Sequence, residues 1–359
     1  MISRRGADSV LPRVGSWIVH RYPVADFGSS YSGMWRLEEE RRQPPLATSD
    51  ITAILEDMIA PLRRLDDTEG GSAAAVGMVN HQIETITAYL TRGRTTSPDV
   101  RRRLMLAGAQ LNQLAGWMAF DAERHTTARR YFRAALTAAR DGDHTDLTAH
   151  ILACMAYQAV HCGQLDEGVA YVEAAMRTSE ACHPAVRALM SSRLAYVRAA
   201  SGSSRGFRSA RERARGLYQA AADSTAHGPE WLYWFDAQEL EYQLVHSGLT
   251  LASYADDDPA RYFDEAQVLL NGKVSSPDTR TPRDALFHIA SLARAYAQHG
   301  DLDSVAHVAE LGLRRGQGVR SVRARNVLLG LDKDLATHRG ARRDPRVREL
   351  RTQLREQLA

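Results

Sequence analysis

ACMAYQAVHCGQLDEGVAYVEAAM, residues 153–176, reads as two helices and the turn between them. Small and apolar residues recur at spacings of three and four on either side of Gly163, which is the signature of one buried face per helix. Ala156 is followed twelve residues later by Gly168, then by Val172 and Ala175. Two small residues so placed let paired helices approach closely, and the bulkier Val172 fills the gap to the next element.

The same offsets recur on both sides of this stretch. In LAGWMAFDAERHTTARRYFRAALTAA, 114–139, Gly116 is followed twelve residues later by Ala128, then by Phe132 and Ala135. In SLARAYAQHGDLDSVAHVAELG, 291–312, Leu292, Ala293, Tyr296, Gly300 and Gly312 keep the register. Two further pairs follow from periodicity: 185–200 with 209–222, and 231–248 with 258–270. Helices are also expected at about 319–336 and 345–358. Period-two runs of β-branched residues are missing, so the chain is expected to be all-α.

These offsets resemble the tetratricopeptide repeat, a helix–turn–helix unit of about 34 residues. The first two copies lie 40 residues apart, Gly116 to Ala156, and lack the usual Trp, so the helices are longer than the consensus. The order of ILEDMIAPLRRLDDTEGG, LAGWMAFDAERHTTARRYFRAALTAARDGD, ILACMAYQAVHCGQ, PEWLYWFDAQELEYQL, HGDLDSVAHVAELGL and DPRVRELRTQLREQL is similar to the C-terminal TPR-type domain of actinobacterial helix-turn-helix regulators of the phage-repressor type. That resemblance implies a TPR-like helical-hairpin solenoid, a right-handed superhelix over residues 51–359 whose last two helices cap its end. It casts residues 1–50 as an irregular remnant of a helix-turn-helix domain. Pro12, Pro23, Pro44 and Pro45 interrupt that segment, so it is expected to hold no folded reader, and specific DNA binding by this chain alone is not expected.

Composition excludes several classes. Of 46 basic residues only Lys273 and Lys333 are lysine, leaving 46 − 2 = 44 arginines, the codon bias of a GC-rich genome such as an actinobacterium's. A net charge of +3 selects no partner by itself. Cys154, Cys162 and Cys182 contain no CxxC pair and make no disulfide framework. MISRRGADSVLPRVGSW has no apolar segment followed by a cleavage site and no window approaches 18 apolar residues, so a cytoplasmic protein without a membrane span is expected.

Local motifs yield little chemistry. GSSRG, 202–206, matches G-x-S-x-G, but a helix precedes it where a nucleophile elbow needs a strand. His161, Cys162 and Cys154 lack the spacing of a metal site, so neither metal nor cofactor is expected. The arginine clusters at 101–103, 314–325 and 338–351 are interspersed with acids and read as solvated faces.

The aromatic-rich stretch GPEWLYWFDAQELEYQL, 228–244, is different: it carries five aromatics and four carboxylates in seventeen positions. Read as a helix from residue 231, it puts Tyr233, Ala237, Leu240 and Leu244 on a core stripe and Asp236, Glu239, Tyr242 and His246 on another face. In TPR arrays the second, fifth, ninth and thirteenth positions of the first helix line the concave groove. Transferred here, that resemblance implies Gln110, Gln113, Trp117 and Asp121, then His150, Tyr157 and His161, then Phe287, Arg294 and Gln298. The expected function is a regulatory sensor binding a peptide, small molecule or protein partner in this groove, in transcriptional control of secondary metabolism or development. Homodimer formation stays open. The alternative is an enzyme on the same scaffold, with Asp236 and Glu239 as acid and base on a small metabolite.

Overall fold

The computed structural model describes residues 46–69, 71–254, 259–275, 282–317, 319 and 321–358. The expectation about a helix-turn-helix remnant therefore falls almost wholly outside the described residues. What is described is all-α apart from a two-residue parallel bridge, β1 (Leu46–Ala47) with β2 (Arg94–Thr95). No described helix is long and apolar enough to cross a membrane.

The chain opens with α1 (Ser49–Asp57), α2 (Ile59–Glu69) and α3 (Ala73–Thr91). Three hairpins follow: α4 (Pro98–Asp121) with α5 (His125–Asp141), α6 (Thr145–His161) with α7 (Leu165–Thr178), and α8 (Pro184–Ala200) with α9 (Ser204–Ala222). Then come α10 (Ala237–Ala252), α11 (Pro259–Ser275), α12 (Pro282–His299), α13 (Leu302–Arg315), α14 (Val322–Thr337) and α15 (Pro345–Leu358).

The first two hairpin seams are built from the small residues that define the repeat. Ala128 and Ala156 are fully buried, and a Cβ added at Gly116 would lie 2.6 Å from the Phe132 ring. A Cβ at Gly168 would lie 2.6 Å from Val160 Cγ2. The turns repeat as closely as the seams. In Ala122–Arg124 the Arg124 N–H donates to Ala119 O (2.8 Å) and the Glu123 N–H to Phe120 O (2.9 Å), a Schellman closure. The same two bonds recur around Asp143, Gly163, Gly202 and Gly300, and all five central residues have positive φ.

Helices α4, α6, α8, α10, α12 and α14 form an inner layer, and the layer closes on itself. Helix α12 packs against α2, and α14 against α4. Two buried ion pairs hold the closure: Arg283 to Asp66 (2.6 Å) and Arg323 to Asp121 (3.0 Å). Helix α14 is therefore a member of the inner wall rather than a cap, because Arg323 draws its start onto α4. Only α15 covers the end, packed on α13 and α14.

The 228–244 stretch also departs from expectation. It is not one helix: a short 3-10 turn at Glu230–Leu232 ends in an irregular link, and α10 starts only at Ala237. Asp236 is the N-cap, its side chain accepting the Glu239 N–H at 2.8 Å. An Asp three residues before Glu is a strong start signal, and it overrides the apolar stripe read through Tyr233. Tyr233 accordingly leaves the core, 53% exposed.

A candidate ligand cavity inside the ring of helices

The inner helices enclose a cavity of about 1000 Å3. Trp117, His150, Tyr157, His161, Asp236, Glu239, Tyr242, His246 and Arg294 all line it, as do Gln113, Phe287 and Gln298. Asp121 does not: it is 1% exposed and lies behind the wall, paired with Arg323. Gln110 also stays outside, where its side-chain oxygen accepts from Arg63 (3.0 Å).

One wall is aromatic. Trp117 and Tyr157 have ring centroids 6.0 Å apart, and Tyr157 and Tyr196 are 4.8 Å apart. Such contacts leave extended apolar faces with phenol groups at their edges, suited to an amphipathic guest. Arg193 lies over the Tyr157 ring at 4.9 Å, and Arg323 over Phe287 at 4.5 Å.

The link before α10 crosses from α6 to α2. Trp231 stacks on His150 at 4.5 Å, its Nε1 donates to Asp146 (3.2 Å), and its carbonyl accepts from Arg63 (3.0 Å). Tyr233 donates its hydroxyl to Asp67 (2.6 Å), and Asp67 also meets Arg283 (3.5 Å). Burial opposes the charge on Arg283, but the carboxylates of Asp284, Asp66, Asp121 and Asp67 outweigh it.

Deep in the cavity Ser192 donates to Gln243 Oε1 (2.8 Å), and Gln243 Nε2 donates to Glu239 Oε1 (2.9 Å). Burial, with repulsion from Asp284, pushes the Glu239 carboxyl up to about 7. Burial pushes His150 down to about 3, helped by Arg63 and Arg193. Close by, Cys154 Sγ sits 3.8 Å from His150 Nε2, the residue types of a nucleophile and its base. Burial raises that thiol to about 11, so the pair is held neutral on both sides and no thiolate is available. His246 Nε2 and His288 Nδ1 share one hydrogen bond at 2.7 Å, which requires one ring to donate and the other to accept. Burial and His288 keep His246 well below its ordinary range. Among the described residues no cluster of three or more His, Cys, Asp or Glu is arranged to hold a metal.

Sequence reasoning missed the α8 contribution, Ser192, Arg193 and Tyr196, and the α2 contribution, Arg63, Asp66 and Asp67. The α8 residues had a signal. Gly202 occupies the same turn position as Gly163, seven residues after Ala195 and Ala156 respectively. That register puts Tyr196 where α6 has Tyr157. It was obscured because Phe207 stands where the other pairs have a second small residue. No protein-family model matches the chain, and no curated protein matches it.

Proposed function

We propose that this protein is a TPR-like sensor whose inner-helix cavity holds a small amphipathic molecule or a short peptide, and that it acts in transcriptional control through a protein partner. The observation that carries the reading is the enclosure. Residues from α2, α4, α6, α8, α10, α12 and α14 converge on one space of about 1000 Å3, within reach of the usual size of ligand pockets. Small residues at the hairpin seams and five like turns support the TPR-like assignment. Closure of the first helices against the last favours a compact guest over a long peptide threaded through an open groove.

Native mass spectrometry of protein purified from its own host tests the reading. A retained small molecule is the expected result, lost in Trp117→Ala at an unchanged melting temperature. A clean apo mass, together with no change in host metabolites co-purifying with Trp117→Ala, would argue against it. For the regulatory part, a mobility-shift assay on its own promoter region is expected to show no sequence-dependent shift by this chain alone. A sharp specific shift would restore a direct DNA-binding role.

One observation favours the enzymatic reading: a carboxyl near 7 is poised for proton transfer. Its proposed partner is committed elsewhere, since Asp236 caps α10. If Glu239 catalyses, Glu239→Gln abolishes conversion of the retained molecule while preserving its binding.

A further inference from the structure

Among the described residues three of the arginines that line the cavity, Arg63, Arg64 and Arg193, have no carboxylate partner, and Arg64 is exposed. Arg283 is paired with Asp66 (2.6 Å), Arg323 with Asp121 (3.0 Å) and Arg294 with Asp334 (2.7 Å). Arg63 is spent on the Trp231 carbonyl and the Gln110 amide, both at 3.0 Å. Arg193 is half-buried on the wall, and among the described residues its guanidinium makes no hydrogen bond or ion pair. Its contact is the face of Tyr157 at 4.9 Å.

A half-buried guanidinium without a carboxylate partner keeps its donors available to an incoming anion. Of the groups around it, Glu239 carries a carboxyl that Arg193 favours in its charged form, while burial opposes that charge. His150 is held neutral, Cys154 is held as the thiol, and burial raises Tyr196 so that its phenol keeps its proton. The nearest carboxylate network, Glu239, is turned onto Gln243 at 2.9 Å. A planar five-donor fork laid on a tyrosine is suited to gripping a carboxylate, sulfonate or phosphate through two parallel bonds.

We propose that Arg193 anchors the anionic group of the cavity's ligand, whose apolar body lies along Trp117, Tyr157 and Tyr196. The ligand class is thus an amphipathic organic acid, not a neutral or cationic molecule. This rests on the cavity reading above, but it fails separately from it.

The test uses the full chain and two fluorescent probes: anilinonaphthalene sulfonate, and N-phenylnaphthylamine, which has the same skeleton without the anion. Both are expected to bind the parent protein, the sulfonate more tightly. Arg193→Gln should weaken the sulfonate about ten- to a hundredfold, the loss of a charge-assisted contact, while changing the neutral probe by no more than about twofold. Arg193→Lys should recover part of the loss. Because the substitution breaks no ion pair among the described residues, its melting temperature should not fall, and near-ultraviolet circular dichroism checks that the fold is kept. Equal effects on both probes, or none on either, would overturn the anion assignment and leave the cavity standing. If Trp117→Ala leaves both affinities unchanged, or neither probe binds the parent, the cavity reading falls and this proposal with it.

Discussion

The hairpin seams and the ring closure are held by opposite kinds of chemistry. At the seams, Gly116 against Phe132 and Gly168 against Val160 use close apolar contact between residues near in sequence. At the closure, Arg283 reaches Asp66 across 217 residues and Arg323 reaches Asp121 across 202, through buried charge. Tight apolar seams give stability by contact, whereas a buried ion pair gives geometry. Its attraction is spent on removing both charges from water, so it fixes which helices meet more than how strongly. The seams build the wall of the cavity, and the closure makes it a cavity.

The largest expected effect tests the closure. Arg323→Ala leaves Asp121 buried without its hydrogen-bonded cation and should cost about 3–5 kcal/mol in urea unfolding. The paired replacement Asp121→Leu with Arg323→Met should recover most of that loss. If the single change is harmless, the closure is not ionic in the sense argued. If the double change is as damaging as the single one, the pair contributes net stability and the contrast with the seams disappears.

The seams come next. Ala156 is fully buried between Val172 and Val197, so Ala156→Leu should overpack the contact and cost about 1–3 kcal/mol. A neutral result would mean that the small residues of the repeat do not set the helix approach.

This contrast also explains what the sequence made legible. All-α character, the main hairpins and their turns rest on residues a few positions apart, so their periods show in one dimension. Part of the cavity wall, such as Trp117, Tyr157 and Arg294, followed from the same offsets. The closure did not. In a chain with 44 arginines, no pattern marks which two will find Asp66 and Asp121 more than 200 positions away. The break at Asp236 was a local signal that the apolar stripe through Tyr233, Ala237 and Leu240 outcompeted on paper. Arg193 could be placed only once α8 was in register, and Phe207 masked that register.

An effect of similar size, confined to the upper pH range, bears on the inside of the ring. Glu239, faced by Asp236, by Asp284 from α12, by Arg193 from α8 and by Gln243 of its own helix, is pushed up to about 7 by burial. Its folded value lies above the unfolded one. It is protonated in both states below the unfolded value, so nothing is lost there. As pH rises from about 4.5 through 7 the unfolded chain gives up the proton first, and stability falls. Glu239→Gln should remove that slope, leaving the variant more stable than the parent by about 1–3 kcal/mol at about pH 8 and equal at about pH 4. Parallel stability–pH curves would show that Glu239 is solvated through the cavity mouth, and that closure does not exclude water from it.

The smallest effect returns to the turns. Five Schellman turns close with the same pair of bonds and a left-handed central residue, and three of them use glycine: Gly163 (φ 73), Gly202 (φ 67) and Gly300 (φ 84). Asp143 (φ 56) and Glu123 (φ 57) hold the same conformation with a side chain attached. Asp tolerates it by local hydrogen bonding, but Glu has no such compensation, and the left-handed region costs an ordinary residue about 1 kcal/mol. Replacing Glu123 with glycine removes that strain and adds some freedom to the unfolded chain. The net gain should be about 0.5 kcal/mol, read as a small rise in melting temperature. Glu123→Gln serves as the charge control and should not change it. A loss of stability on Glu123→Gly would mean that the side chain itself anchors this turn, and that the α4–α5 hairpin, unlike its neighbours, is held by more than its backbone and its seam.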